Sequence, residues 1–309
     1  MQPNKNTNMK TTKTHQPHQL LTAIGAITLI TLGILLALAI LNGVKVTEFD
    51  GDLALQDVYF QTSLGSRIPG SEAHENIVDW IVKRTEGNGW IVELHETEIN
   101  QISVRNIIAK NRNEMPEMII GAHYDSRMYA DKDIDPQKRT EPVPGANDGA
   151  SGVAVLLELT RTLPEDLAKD VWLVFFDAED NGNIAGWDWI LGSQAFVRDY
   201  AIQPEAVVII DMIGDKDLNI HLESNSHVEL SNEIWDVAAK LGYREYFIPT
   251  PKYRILDDHI PFIRAGMRAI DIIDFDYAHW HTSEDTPDKV SADSLEIVGK
   301  VLHTWLLQK

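Results

Sequence analysis

Met118-Ile119-Ile120-Gly121-Ala122-His123-Tyr124-Asp125-Ser126 begins as an unbroken apolar run and ends in a histidine and an acid. The pattern recurs. Val171 to Phe176 is apolar and leads into Asp177-Ala178-Glu179-Asp180; Ala206 to Ile210 leads into Asp211-Met212-Ile213-Gly214; Ala269 to Ile273 precedes Trp280-His281-Thr282. Short β-branched runs without polar alternation mark strands covered on both faces. Between the first two runs, Gly145-Ala146-Asn147-Asp148-Gly149-Ala150-Ser151-Gly152 opens a helix expected over 150–163. Further strands are expected at 90–96 and 104–110. Ser71 caps a helix carrying Ile77, Val78, Ile81 and Val82 that stops at Gly87, and a last helix aligns Leu295, Val298, Leu302 and Trp305. Alternating helices and buried strands specify an α/β fold: a three-layer α/β/α sandwich around a mixed, mostly parallel sheet.

The chain has 309 residues, a formal net charge of −20 and no cysteine. An acidic surface repels phosphate backbones, which excludes nucleic acid as a partner. Without a cysteine there is no disulfide and no thiolate ligand, so a metal must be held by His, Asp or Glu.

Residues 1–19 are polar and contain Lys5, Lys10 and Lys13, whereas 20–41 carry no charge. An uncharged stretch of that length is expected to span a bilayer as an uncleaved signal anchor, although Ala37-Leu38-Ala39 also fits a small-residue cleavage site. Lysines on the cytoplasmic side would leave the domain from residue 46 to 309 outside a cell membrane crossed once. No repeat or flexible linker divides 46–309, so one domain is expected there.

In open α/β sheets ligands bind beyond the carboxyl ends of the strands, which is where the polar residues fall. Singly, a His or Asp after a strand is an ordinary turn residue. Five such clusters separated by apolar elements converge on one place. Two imidazoles, several carboxylates and no sulfur suit a catalytic zinc that keeps an open position.

In order and context, His123, Asp148, Glu179-Asp180, Asp211 and His281 resemble the co-catalytic zinc aminopeptidases of peptidase family M28, relatives of the animal-type glutaminyl-peptide cyclotransferases. Arg67-Ile68-Pro69-Gly70-Ser71 also matches the segment opening the first helix of that group. The resemblance implies that Asp148, Asp180 and His281 hold one zinc. It implies that His123 and Asp211, sharing Asp148, hold a second in an aminopeptidase. Glu179 would be the general acid/base and Asp125 would orient His123. The expected cofactor is therefore one or two zinc ions, and the expected substrate a peptide or small amide. Asp180 stands where the family commonly has Glu.

Trp187 and Trp189 in a long segment before Gly192-Ser193, Trp280 before His281, and Asp257-Asp258-His259-Ile260-Pro261-Phe262 resemble the cyclotransferase branch. Tryptophans near a zinc could wall a small pocket and exclude water. Asn147-Asp148-Gly149-Ala150-Ser151-Gly152 instead resembles the aminopeptidases, and Asp271 replaces a cyclase histidine. If Asp271 lies beside Asp257, two carboxylates share a site and one should have a raised pKa. The loop over 127–147 is expected to be a rim shaping access, and His74, His95, His259, His279 and His303 to serve packing, surface or capping roles.

Overall fold

A computed structural model describes residues 47–111 and 115–309. The expected anchor at 20–41 lies outside them. No helix among the described residues is long and apolar enough to cross a membrane. Residues 46–309 form one compact unit.

The elements follow in the order α1 (Gly51–Ser63), α2 (Glu72–Gly87), β1 (Ile91–Ile99), β2 (Ile102–Lys110), β3 (Met118–His123), α3 (Ala150–Thr162), α4 (Glu165–Ala168), β4 (Val171–Phe176), α5 (Leu191–Asp199), β5 (Ala206–Asp211), β6 (Ile220–Glu223), α6 (Val228–Lys240), β7 (Phe247–Tyr253), α7 (His259–Arg264), β8 (Ala269–Ile273) and α8 (Ala292–Leu306). Six strands form one sheet in the order β1-β2-β4-β3-β5-β8, and β6 and β7 form a small parallel pair. β1 and β2 pair antiparallel, as do β2 and β4, while β4, β3, β5 and β8 run parallel. The carboxyl ends of those four strands therefore share one end of the sheet.

Every residue of β3, β4, β5 and β8 is buried, as their unbroken apolar runs require. Their alternate side chains feed two cores. Ile120, Leu173, Phe175, Val208, Ile210 and Ile272 pack with side chains of α1, α3, α6 and α8. Ile119, Val174, Phe176, Val207 and Ile209 pack on the other face with Phe196 of α5 and Phe262 of α7. Each buried Val, Leu, Ile or Phe contributes roughly 1.5–3 kcal/mol, so this double-sided burial holds the strand ends in register. Ser71 caps α2 by accepting from His74 N at 3.1 Å.

β1 and β2 exceed the expected spans because they meet in a two-residue turn, Asn100-Gln101, both with positive φ. That turn lacks the glycine that usually announces a hairpin. The loop over 127–147 is tied down: Ala130 N donates to Glu141 O at 2.8 Å, Val143 N to Arg127 O at 3.1 Å, and Lys132 N to His281 O at 3.2 Å.

Candidate metal centre and active site

His123 is the last residue of β3 and Asp211 the last of β5; Asp148 directly precedes α3, Glu179 and Asp180 follow β4, and His281 follows β8. All six are buried. His123 Nε2 lies 3.1 Å from Asp148 Oδ1 and 3.1 Å from Asp211 Oδ1. His281 Nε2 lies 2.8 Å from Asp180 Oδ1 and 3.7 Å from Asp148 Oδ2. Two groups result, His123/Asp148/Asp211 and Asp148/Asp180/His281, each offering ligand atoms within 4.8 Å of one another and sharing Asp148.

The donors fit a metal. Asp148 Oδ2, Asp180 Oδ2, His281 Nε2 and both Nδ1 atoms of His123 and His281 are buried without a hydrogen-bond partner. Buried polar atoms are seldom left so. Asp180 Oδ1 is near His281 Nε2, yet the approach angle makes no hydrogen bond, as expected of two groups facing a third. Burial pushes Asp180 up to about 6 and Asp211 up to about 8, with Asp148 adding repulsion in both cases. Asp148 itself is lowered: burial opposes its charge, but the neighbouring imidazoles and Arg127 outweigh it. A cation relieves this crowding of negative charge. Mixed His and carboxylate donors without sulfur suit zinc.

The backbone is shaped to bring these groups together. A Cβ on Gly149 would sit 2.5 Å from His123 Nε2, so only glycine lets the Asp148 turn close on that ring. Ala178, Met212 and His281 hold positive φ values of 52°, 46° and 55° beside or within the site. Such strain persists only where the surroundings enforce it.

Several supports were not visible in the sequence. Arg67 was matched only as part of a motif. Fully buried, it donates to Tyr124 O at 3.1 Å, Pro144 O at 2.8 Å and Gly145 O at 2.6 Å, joining the β3 end to the Asp148 loop; burial lowers its pKa to about 10. Asp285 accepts from Asn147 N at 2.9 Å, Asp148 N at 3.2 Å and the Tyr277 hydroxyl at 2.6 Å. Arg127 donates to Asp180 O at 2.6 Å and lies over the Trp189 ring at 4.8 Å. Apart from Tyr277 and Asp285, eight residues apart, these hydrogen-bond partners are 53 to 138 residues apart in the chain, so no local pattern marks them.

Asp125 does more than the expected contact with His123. Its Oδ1 is 3.4 Å from His123 Nδ1 but makes no hydrogen bond with it. Its carboxylate accepts from Glu179 N at 3.0 Å, Asp180 N at 3.3 Å and Asn181 Nδ2 at 3.1 Å. It thus fixes the turn that carries Glu179 and Asp180.

A cavity of about 250 Å³ opens over the site, with Asp148, Glu179, Asp180, Asp211, Asp257 and His281 among its polar lining and Trp189, Trp280, Phe275 and Ile255 among its walls. Trp189 and Trp280 both stack with His281, at centroid distances of 5.9 Å and 3.9 Å. Trp189 rests on Gly182, where a Cβ would come 2.1 Å from the indole. Trp187 does not line the cavity. The turn between Asn183 and Trp187 sends its ring onto Val104, Ala178, Leu191 and Ala195, so the expectation of a pocket role for Trp187 is corrected to packing. Burial pushes Glu179 well above the ordinary carboxylate range, with Asp257 and Asp180 adding to the effect.

Behind the cavity wall, burial and Asp257 push Asp271 well above its ordinary value, and burial raises Asp257 too. Neither oxygen of Asp271 has a hydrogen-bond partner. His259 Nδ1 is 3.9 Å from Asp271 Oδ2, and its Nε2 is 3.2 Å from Glu223 Oε2. Glu223 also accepts from the backbone of Asn225, Ser226 and Ile255. Despite burial, those bonds and His259 lower it to about 2. His259 is therefore a buried hydrogen-bond partner of Glu223 and more than a cap. His74 and His95 are buried against Asp177 and Asp199, at 2.8 Å and 3.0 Å.

The family model described as Peptidase family M28 matches residues 106–306. Among solved structures, a Porphyromonas gingivalis glutaminyl cyclase is similar at 34% identity and TM-score 0.80, covering 85% of this chain and 99% of that one. A leucine aminopeptidase precursor from Bacteroides thetaiotaomicron is similar at 28% identity and TM-score 0.79, covering 86% and 99%. A glutaminyl-peptide cyclotransferase of Boiga irregularis is 25% identical over 295 residues, covering 78% of this chain and 77% of that protein. With most of the folded unit matched and the ligand-bearing strand ends inside the match, the chain belongs to peptidase family M28.

Proposed function

We propose that this chain is a glutaminyl cyclase, closing the side chain of an N-terminal glutamine onto its own α-amine and releasing ammonia. The cavity carries this reading: about 250 Å³, with Glu179 and the ligand group at its polar side and Trp189, Trp280 and Phe275 on its walls. Such walls hold one folded side chain and keep water from competing with the amine. The similarity to the P. gingivalis and Boiga enzymes supports the same reading.

The α-amine nitrogen forms a bond to the side-chain amide carbon, and the bond from that carbon to the amide nitrogen breaks. Glu179 accepts the proton given up by the attacking amine and returns it to the departing nitrogen, so no proton is consumed. Asp148, Asp180 and His281 would hold a zinc, whose chemistry when bound is to polarise the amide carbonyl. Asp125 and Arg127 hold the Glu179-Asp180 turn in place. Asp257, whose pKa burial raises, lines the same cavity.

A specific observation favours a second reading. The complete second group, His123/Asp148/Asp211, suits a two-metal aminopeptidase, and the Bacteroides leucine aminopeptidase precursor is similar. The full chain with zinc, given peptides beginning with Gln or Leu, separates the two by mass spectrometry. Loss of ammonia from the Gln peptide alone supports the cyclase; a free first residue supports the aminopeptidase.

We also propose that residues 20–41 anchor the enzyme in a membrane with its catalytic domain outside, on the support of their uncharged composition and the lysines before them. Residence in the carbonate-washed membrane fraction, lost when 20–41 are deleted, is the expected result.

A further inference from the structure

We infer that a groove continuing from the catalytic cavity binds the part of a peptide substrate that follows its first residue, and that it prefers acidic side chains there. The groove, of about 540 Å³, shares Arg254, Ile255 and Leu256 with the cavity and extends along Ile260, Ile263 and Arg264. A substrate whose first residue lies beside Glu179 must leave the cavity with its remaining chain, and the three shared residues set the groove next to that cavity.

The sign of charge changes along that way. The cavity gathers carboxylates, whereas no carboxylate lines the groove. Arg254 and Arg264 are both exposed. Among the described residues neither is within ion-pair distance of an acid, unlike Arg84, Arg105, Arg127, Arg161, Arg198 and Arg268. Of the five described arginines without an ion pair, Arg67 is buried and Arg139 and Arg244 lie elsewhere, whereas Arg254 and Arg264 line one groove. Arg254 is also held in place. Its Nη1 donates to Asn225 Oδ1 at 2.6 Å, and Asn225 is fixed in turn by Glu223 and by Ile255 O at 3.0 Å. Its other donors stay available for a carboxylate. Leu256, 46% exposed, offers apolar surface beside the arginines. The groove therefore fits a segment with an aliphatic residue followed by acids.

This inference takes its direction of binding from the cyclase reading, yet its test does not depend on turnover. The zinc-loaded full chain carrying Glu179→Gln is titrated with Gln-Leu-Glu-Glu amide and Gln-Leu-Lys-Lys amide. Two exposed pairs should make the acidic peptide about three- to twenty-fold tighter at low salt. The ratio should shrink toward one at high salt and reverse with Arg254→Glu plus Arg264→Glu. Equal binding of the two peptides, or a preference untouched by the double substitution, overturns the inference. If the wild-type chain releases no ammonia from either peptide, the cyclase reading falls while the binding ratio still decides the groove.

Discussion

Two buried ionic clusters lie side by side, and their carboxylates behave in opposite ways. Glu223 is buried but accepts from three backbone N–H groups and from His259, and its pKa falls to about 2. Asp180 and Asp211 are equally buried, but burial and neighbouring acids push them to about 6 and 8, and Asp180 Oδ2 has no partner. A buried carboxylate with its hydrogen bonds made supports the fold. One left open among other acids is arranged for a cation. Burial alone distinguishes neither; the donors around each oxygen do.

The contrast can be broken at its strongest point first. Glu179→Gln removes the proton carrier while leaving every ligand atom, so turnover should fall by about 10²- to 10⁴-fold with zinc still bound. Retained turnover would take Glu179 out of its role. In the wild-type chain, the acid limb of the rate profile should lie above the ordinary carboxylate range, because Glu179 must ionise to accept a proton and its pKa is raised.

Next comes the fold cluster. Glu223→Gln should cost about 1.5–3 kcal/mol of stability, read from denaturant unfolding, with zinc present or absent. The sign in pH follows from the lowered value. Stability from Glu223 is full above its unfolded pKa of 4.5 and is lost as pH falls toward about 2. The variant should lack that part of the acid-induced loss, and an unchanged profile would contradict the assignment.

The smallest effect sharpens the comparison within one loop. Trp189→Ala should raise KM for a Gln peptide by about ten-fold through the lost wall contact. Trp187→Ala should leave KM within about two-fold while lowering the melting temperature, since its ring packs on Val104 and Leu191. Similar kinetics for both would erase the distinction the structure draws.

That pair also shows what sequence can and cannot convey. The runs at 118–123, 171–176, 206–211 and 269–273 announce buried parallel strands, and the structure gives those same bounds. The polar residues after them fall at one end of the sheet because the four strands are parallel. Trp187 and Trp189 are two residues apart and chemically alike, but a turn sends one to the cavity and one to a small core. Arg67 and, for most of their bonds, Asp285 and Glu223 reach parts of the chain that no periodicity records. Over 212–268 no unbroken apolar run announces an element, although α6 carries Leu230, Ile234, Trp235 and Ala238 on a buried stripe. Asp125 was identified, but the partners its carboxylate serves depend on a backbone turn that spacing does not specify.

Calorimetric titration of zinc into the metal-free full chain, beside Asp148→Asn and Glu223→Gln, tests the distinction between the two clusters most directly. Zinc should bind the wild-type and Glu223→Gln chains and fail to bind Asp148→Asn tightly, because Asp148 is common to both ligand groups. Binding that survives Asp148→Asn, or that vanishes in a folded Glu223→Gln chain, would contradict it.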